Sequence, residues 1–231
     1  TFVDNVAAVE GGAIAINFYF KGDGVGPPIT QSTFVGNSTV QRSGGAVSIV
    51  FSDASITNST FLDNSASYQG DAVYGGASVS GSLLASATPG DLCNGGSSAT
   101  LSVASDGSCG LSEMTFADME IIGLGDWGGP TPTVWIGPGS AADDVNTGSC
   151  PVLDQRGATR SSPCDAGSFE RRSSTAQALT AALDYPSTVG ISQTVTPSSV
   201  PAVAAAAPSP TYALDSGGCG VDSSSGNVTG V

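Results

Sequence analysis

Four groups of side chains in this 231-residue sequence are of types that could carry chemistry. Asp143 and Asp144 are adjacent carboxylates, the residue type with which inverting glycosidases hold an attacking water between an acid and a base. Asp4, Asp63 and Asp118 each stand one residue before the last position of a Phe-x-x-Asn pattern, with Gly36 in that place in the second copy. An outward column of such carboxylates would hold calcium or serve in general acid–base catalysis; the alternative is a solvated strand end. Asp154, Arg156, Arg160, Asp165, Glu170, Arg171 and Arg172 place four of the chain's five arginines within 17 residues. As a site they would take a carboxylate or a sulfate. As scaffold they would form an ion-pair network that closes the last turn of the fold, with Arg156 bidentate to a carboxylate, and the surrounding acids favour the scaffold. Trp127 and Trp135 flank a Gly-Gly-Pro-Thr-Pro-Thr turn, where indoles would stack on a sugar or cover the end of an apolar core.

Composition narrows these options. There is no histidine, which excludes Ser-His-Asp and Cys-His catalysis and histidine-ligated zinc. The single lysine, Lys21, sits in a Gly- and Pro-rich stretch that lacks the Gly-Lys-Ser/Thr ending of a phosphate loop and reads as a surface loop. A net charge of −14 excludes nucleic acid as a partner and repels acidic polysaccharide unless calcium bridges it. No lysine or arginine recurs beside the Asp column, so a polysaccharide lyase would lack its base. No catalytic residue is assigned, and calcium is the one cofactor the carboxylates leave open.

The five cysteines include no Cys-x-x-Cys pair, which argues against zinc and redox motifs. Cys93 with Cys109 and Cys150 with Cys164 are spaced to close short loops as disulfides, leaving Cys219 free or paired with another chain. Sequons stand at Asn37, Asn58 and Asn227. No run of 18 apolar residues is present, so no membrane-spanning helix is expected. The setting these features predict is extracellular.

These groups must be positioned by a repeat. Ile29-Thr30-Gln31-Ser32-Thr33-Phe34-Val35-Gly36-Asn37 returns 27 residues later as Ile56-Thr57-Asn58-Ser59-Thr60-Phe61-Leu62-Asp63-Asn64, and partly at Thr1-Phe2-Val3-Asp4-Asn5. Each copy is followed by Gly11-Gly12-Ala13-Ile14, Gly44-Gly45-Ala46-Val47 or Gly70-Asp71-Ala72-Val73, and a fourth Phe stands at Phe116. The period, the two-residue alternation and the Val, Ile, Thr and Phe content predict stacked coils of short parallel strands, a parallel β-helix over residues 1–120. Phe2, Phe34 and Phe61 are expected to stack inside, and Asn5, Asn37 and Asn64 to form a hydrogen-bonded ladder at a bend. Because Asn37 belongs to that inward column, Asn58 and Asn227 are the expected glycan carriers. Residues 121–172 are expected to cap the stack, with Asp154, Arg156, Asp165 and Glu170 in the capping network. Residues 173–231 carry no basic residue and include Ala-Pro-Ser-Pro runs, which predicts an extended low-complexity tail.

The Phe-x-x-Asn and Gly-Gly-Ala-Ile/Val pairing over about residues 1–80 resembles the repeats of polymorphic outer membrane proteins and related right-handed parallel β-helix proteins. Gly128-Gly129-Pro130-Thr131-Pro132-Thr133, Pro138-Gly139-Ser140, Asp154-Gln155-Arg156-Gly157 and Cys164-Asp165-Ala166-Gly167-Ser168-Phe169-Glu170 resemble the ending of choice-of-anchor surface β-helix proteins. The chain departs from that ending with Trp127, Ala141, Asp143 and Ser168. In this likeness Asp144 takes the place of a structural aspartate. The resemblance implies a right-handed β-helix at a cell surface and supplies no enzymatic activity.

The function expected is that of an extracellular structural or adhesive protein, a component of a surface filament, sheath or wall layer. Its partners would be other copies of itself, further coils of a longer parent chain, or surface glycoproteins and glycans. Thr1 falls inside a repeat motif, so the first coil is expected to be an internal one. Two other readings stand beside this: a carbohydrate-active β-helix enzyme and a non-catalytic glycan-binding module.

Overall fold

The computed structural model describes residues 1–17, 25–88, 90–148 and 150–171, and the backbone of 219–221 and 228–230. The Lys21 loop, Arg172, Asn227 and most of the tail lie outside the described residues. The chain divides into two compact units, Thr1–Arg172 and Ser173–Val231. In the second, Cys219–Val221 pairs antiparallel with Val228–Gly230.

The fold is all-β, with a single 3-10 turn at Ala117–Met119 and no α-helix among the described residues. Strands of successive repeats pair in parallel in three sheets. One holds Phe2–Val3, Thr33–Val35, Thr60–Leu62, Leu83–Ala85 and Val103–Ala104; a smaller one holds Val6–Ala7, Ser38–Thr39 and Ser65–Ala66. The six-stranded sheet is built on Val47–Thr57 and Val73–Ser80, flanked by Ile14–Asn17 and Ile29–Thr30 on one side and Cys93–Asn94 and Ser98–Thr100 on the other. Equivalent residues of neighbouring coils are 32, 27, 23 and 20 positions apart, so each coil is shorter than the one before.

Three positions between the strands recur in the left-handed conformation from repeat to repeat. One is Asp4, Gly36 and Asp63; another is Gln31, Asn58, Gly81 and Leu101; the third is Gly11, Gly44 and Gly70. The third admits only glycine. A Cβ at Gly44 would come within 2.6 Å of the Val47 carbonyl oxygen, and one at Gly11 within 2.1 Å of the Ile14 oxygen. The other two accept Asp and Asn, whose short side chains tolerate this backbone better than most.

The interior is a set of columns. The rings of Phe2, Phe34 and Phe61 stack with centroids 4.9 and 4.7 Å apart and planes within 6° of parallel. That separation is the strand spacing itself, about 4.8 Å, and falls within the range of favourable aromatic stacking. Leu84 and Ala104 continue the column below Phe61. The amide of Asn5 donates to Asn37 Oδ1 (2.8 Å) and that of Asn37 to Asn64 Oδ1 (2.9 Å), while Asn37 and Asn64 also donate to the Phe2 and Phe34 carbonyls. A third ladder runs through serines: the backbone N–H of Ser32, Ser59 and Ser82 each donates to the hydroxyl of the serine one coil below, ending at Ser102.

The first sheet is buried on both faces, which is why Thr60–Leu62 and Leu83–Ala85 show no exposed residue. Phe34, Phe61, Leu84 and Ala104 face the coil interior; Leu62, Leu83, Ala85 and Val103 belong to a second core with Met119, Val134, Ile136, Ala166 and Phe169. That second core corrects the expected position of residues 121–172. Instead of closing the last coil, the segment runs back along the outer face of the sheet, past every coil. The Gly167 N–H donates to the Gly81 oxygen (2.8 Å), Ser168 N–H to Thr60 Oγ1 (2.9 Å), Gln31 Nε2 to the Leu153 oxygen (2.6 Å) and Gln155 Nε2 to Thr1 Oγ1 (2.7 Å). The outward-facing Val, Leu and Thr of the sheet demand such a cover, because left bare they would expose an apolar face. The end of the last coil is covered instead by the turn after Ser105, from which Cys109 and Leu111 pack on the first core.

The fourth motif copy is also corrected. Phe116 lies in the flank, before the 3-10 turn, and the fourth and fifth coils are those of Leu84 and Ala104.

Candidate functional site

The acidic column is shorter than the sequence implies. Val35 pairs with Leu62 and Leu62 with Ala85, so Asp4, Gly36, Asp63 and then Ser86 are stacked at one corner. Asp118 is elsewhere, its Oδ2 accepting from the hydroxyl of Thr115 at 2.6 Å within its own turn. With Gly36 between them, Asp4 and Asp63 are two strand spacings apart, roughly 9–10 Å, too far to share one calcium ion. Asp63 accepts the Ala87 N–H at 2.8 Å. The column stabilises turns.

Asp143 and Asp144 come together with Asp165, one carboxylate oxygen of each lying within 4.8 Å of the others. Asp165 is buried, accepting the backbone N–H of Asp144 at 2.9 Å and that of Arg171. Burial pushes its carboxyl up to about 7, opposed by those two donors and reinforced by the neighbouring Glu170 and Asp143. Arg171 also donates to Asp143, so a guanidinium supplies the positive charge that this trio needs. The aspartate pair therefore ends in an ion pair and a turn.

The remaining charges form one closed network. Asp154 Oδ1 accepts the N–H groups of Arg156 and Ala158, each at 2.9 Å; Oδ2 accepts Arg156 Nε (2.9 Å), Arg156 Nη2 (2.6 Å) and the Glu170 N–H (3.0 Å). Arg156 thus forks onto a single oxygen rather than two, and its guanidinium lies 3.6 Å from the centre of the Phe169 ring. Arg160 and Glu170 pair at 3.0 Å with both side chains essentially inaccessible to water. Arg160 also donates to the Asp165 and Gly167 carbonyls, and Glu170 accepts from Ser161 N–H and hydroxyl and from Asp165 N–H. Burial pulls the Arg160 guanidinium below its ordinary value, and Glu170 opposes that shift. The lone pairs of both carboxylates are engaged within the fold, while Arg160 Nε and Arg171 Nε are buried without a hydrogen-bond partner.

Trp127 and Trp135 meet at 4.7 Å between ring centres, tilted by 59°, half-buried against the second core. They cover the core's side. Cys93–Cys109 and Cys150–Cys164 are disulfides, a sign of an oxidising compartment. The backbone of Cys219 lies in the antiparallel pair of the second unit.

Asn58 does not sit where a glycan carrier should. It is 7% exposed, occupies a left-handed corner and accepts a hydrogen bond from Asn146 across to the flank (3.4 Å). Asn37 is wholly buried in its ladder. The serine ladder escaped the sequence reading; its signal is a Ser two residues before each column residue, Ser32, Ser59, Ser82 and Ser102.

Among the described residues no helix is long and apolar enough to cross a membrane. No protein-family model matches the chain, and no curated protein and no solved structure matches it.

Proposed function

We propose that this is an extracellular structural or adhesive protein on a right-handed parallel β-helix, similar to surface proteins with Phe-x-x-Asn and Gly-Gly-Ala-Ile repeats. The observation that carries this reading is the engagement of its charged side chains in the fold: Asp154, Arg156, Arg160 and Glu170 in one network, Asp143 and Asp165 with Arg171, and Asp63 in a turn. With no histidine in the sequence, no histidine-based nucleophile–base pair can form. Neutral ladders, disulfides and a layer covering one flank suit a durable scaffold that displays surface, in contact with copies of itself or with surface glycans.

The test combines two measurements on the full chain. Sedimentation and electron microscopy should find self-association or binding to isolated cell-surface material. Incubation with pectin, alginate and chondroitin, with and without calcium, should release no new reducing or unsaturated ends. Turnover of any of them would overthrow the reading.

A further inference from the structure

The outer face of the six-stranded sheet holds a depression that the coil lengths create. Pairing between Val47–Thr57 and Val73–Ser80 jumps from Ile49↔Gly75 to Asp53↔Gly76, so the second coil carries three additional residues, Val50, Phe51 and Ser52. They protrude, while the coils below are cut back to Gly75, Gly76 and Gly95. The step leaves a cleft of about 610 Å³, with Phe51 in its wall and Tyr74 and Asp53 at its sides. That volume lies within the range of small-ligand sites. Glycine is required here. A Cβ on Gly75, whose φ is +104°, would come within 1.6 Å of the Ile49 oxygen, and one on Gly95 within 2.9 Å of the Tyr74 ring.

Three polar groups of the cleft are unspent. Ser52 Oγ is buried without a hydrogen-bond partner. Neither the Asp53 carboxylate nor the Tyr74 hydroxyl has a partner among the described residues. A buried hydroxyl left unmatched is costly, so a ligand that supplies its partner gains by doing so. An anionic ligand is disfavoured by Asp53 and by the net charge of −14, and among the described residues neither lysine nor arginine lines the cleft. A purely apolar ligand would leave all three groups unmatched. A pyranose ring suits them: an apolar face for the Tyr74 ring, and neighbouring hydroxyls that donate to the two oxygens of one carboxylate.

We propose that this cleft binds a neutral pyranose unit of a glycan. The proposal rests on the extracellular, non-enzymatic reading above and gives it a ligand class. The test is calorimetry and saturation-transfer NMR on the full chain with soluble gluco-, xylo-, manno- and galacto-oligosaccharides, and with oligogalacturonate as the acidic arm. At least one neutral oligosaccharide should bind, and oligogalacturonate should bind more weakly. Tyr74→Ala and Asp53→Asn should each weaken that binding about tenfold. Asp53 is exposed and Asn has its shape, so this variant separates lost binding from lost folding. Absence of binding to every neutral oligosaccharide, a preference for oligogalacturonate, or affinity unchanged in both variants would overturn the cleft. If the chain then still associates with itself, the structural reading survives alone. Binding accompanied by cleavage would uphold the cleft and overturn the non-enzymatic reading.

Discussion

In the coils, every internal column is neutral and repeats: phenylalanine on phenylalanine, asparagine to asparagine, serine to serine. In the flank, nothing repeats, and the central contact is a buried guanidinium–carboxylate pair, Arg160 with Glu170. The coils spread their stability over many similar contacts between neighbours, as stacked repeats do. The flank concentrates it in a few groups that cannot lose a partner. The difference teaches where each region is vulnerable. A coil tolerates substitution in its column, as Leu84 and Ala104 show in the place of Phe, whereas the network leaves no such freedom.

The contrast can be broken most sharply at Glu170. Glu170→Ala strands Arg160 as an unpaired buried charge and should cost about 3–5 kcal/mol. The flank should then release before the coils, so the near-ultraviolet signal of Trp127 and Trp135 should melt ahead of the β-sheet signal. Coincident loss of both would mean that the regions are one cooperative unit. Removing Cys93–Cys109, which closes a loop with a sequence separation of 16, should cost about 3 kcal/mol in the chain-entropy model. Urea denaturation of the paired Ser variant checks this, with the effect centred on the last coils. Asn37→Ala leaves the Asn5 N–H and the Phe2 carbonyl without that partner, breaks the side-chain ladder on both sides, and should cost about 1–3 kcal/mol. Its hydrogen exchange should rise at Asn37 and in the neighbouring coils and stay unchanged in the flank.

A further effect is one of pH. Asp165 has its carboxyl raised to about 7 by burial, while the unfolded chain titrates near the ordinary value. The folded state therefore holds a proton that the unfolded state has lost. This contribution is fully present below about pH 4 and disappears as the pH rises through 7. The urea midpoint should fall between pH 5 and pH 8, and Asp165→Asn should flatten that fall. A midpoint that rises over the same interval would contradict the assignment.

The legibility of the sequence follows the same division. The Phe and Asn columns of the first coils could be read because residue identity persists from coil to coil. The next two coils were hidden: Phe gives way to Leu84 and Ala104, Asn64 to Ala87, and the spacing shrinks to 23 and 20. Phe116 kept the residue type without the position, since only contacts between coils distinguish an inward Phe from one in a flank. The charged cluster could be read as a network because acids and arginines alternate over a short stretch. Its location could not, because it is set by contacts such as Thr33 with Gln155 and Ser168, over 120 residues apart in sequence. Asn58 misled for a related reason: a sequon at a corner is exposed only if nothing covers that corner. Here Asn146 does.

The progressive shortening of the coils bears on the order in which the chain winds. Closing a 20-residue loop rather than a 32-residue one saves only about 0.4 kcal/mol of chain entropy, so length alone gives the narrow end little kinetic advantage. The Cys93–Cys109 link at that end is several times more effective. Once oxidised, it makes the last coils the natural nucleus, to which earlier coils add one at a time. We infer that winding travels against the direction of synthesis, with coils made first joining last. Pulse-labelled hydrogen exchange during oxidative refolding should then protect the amides around Val103 before those around Phe34, and the reverse order would refute it.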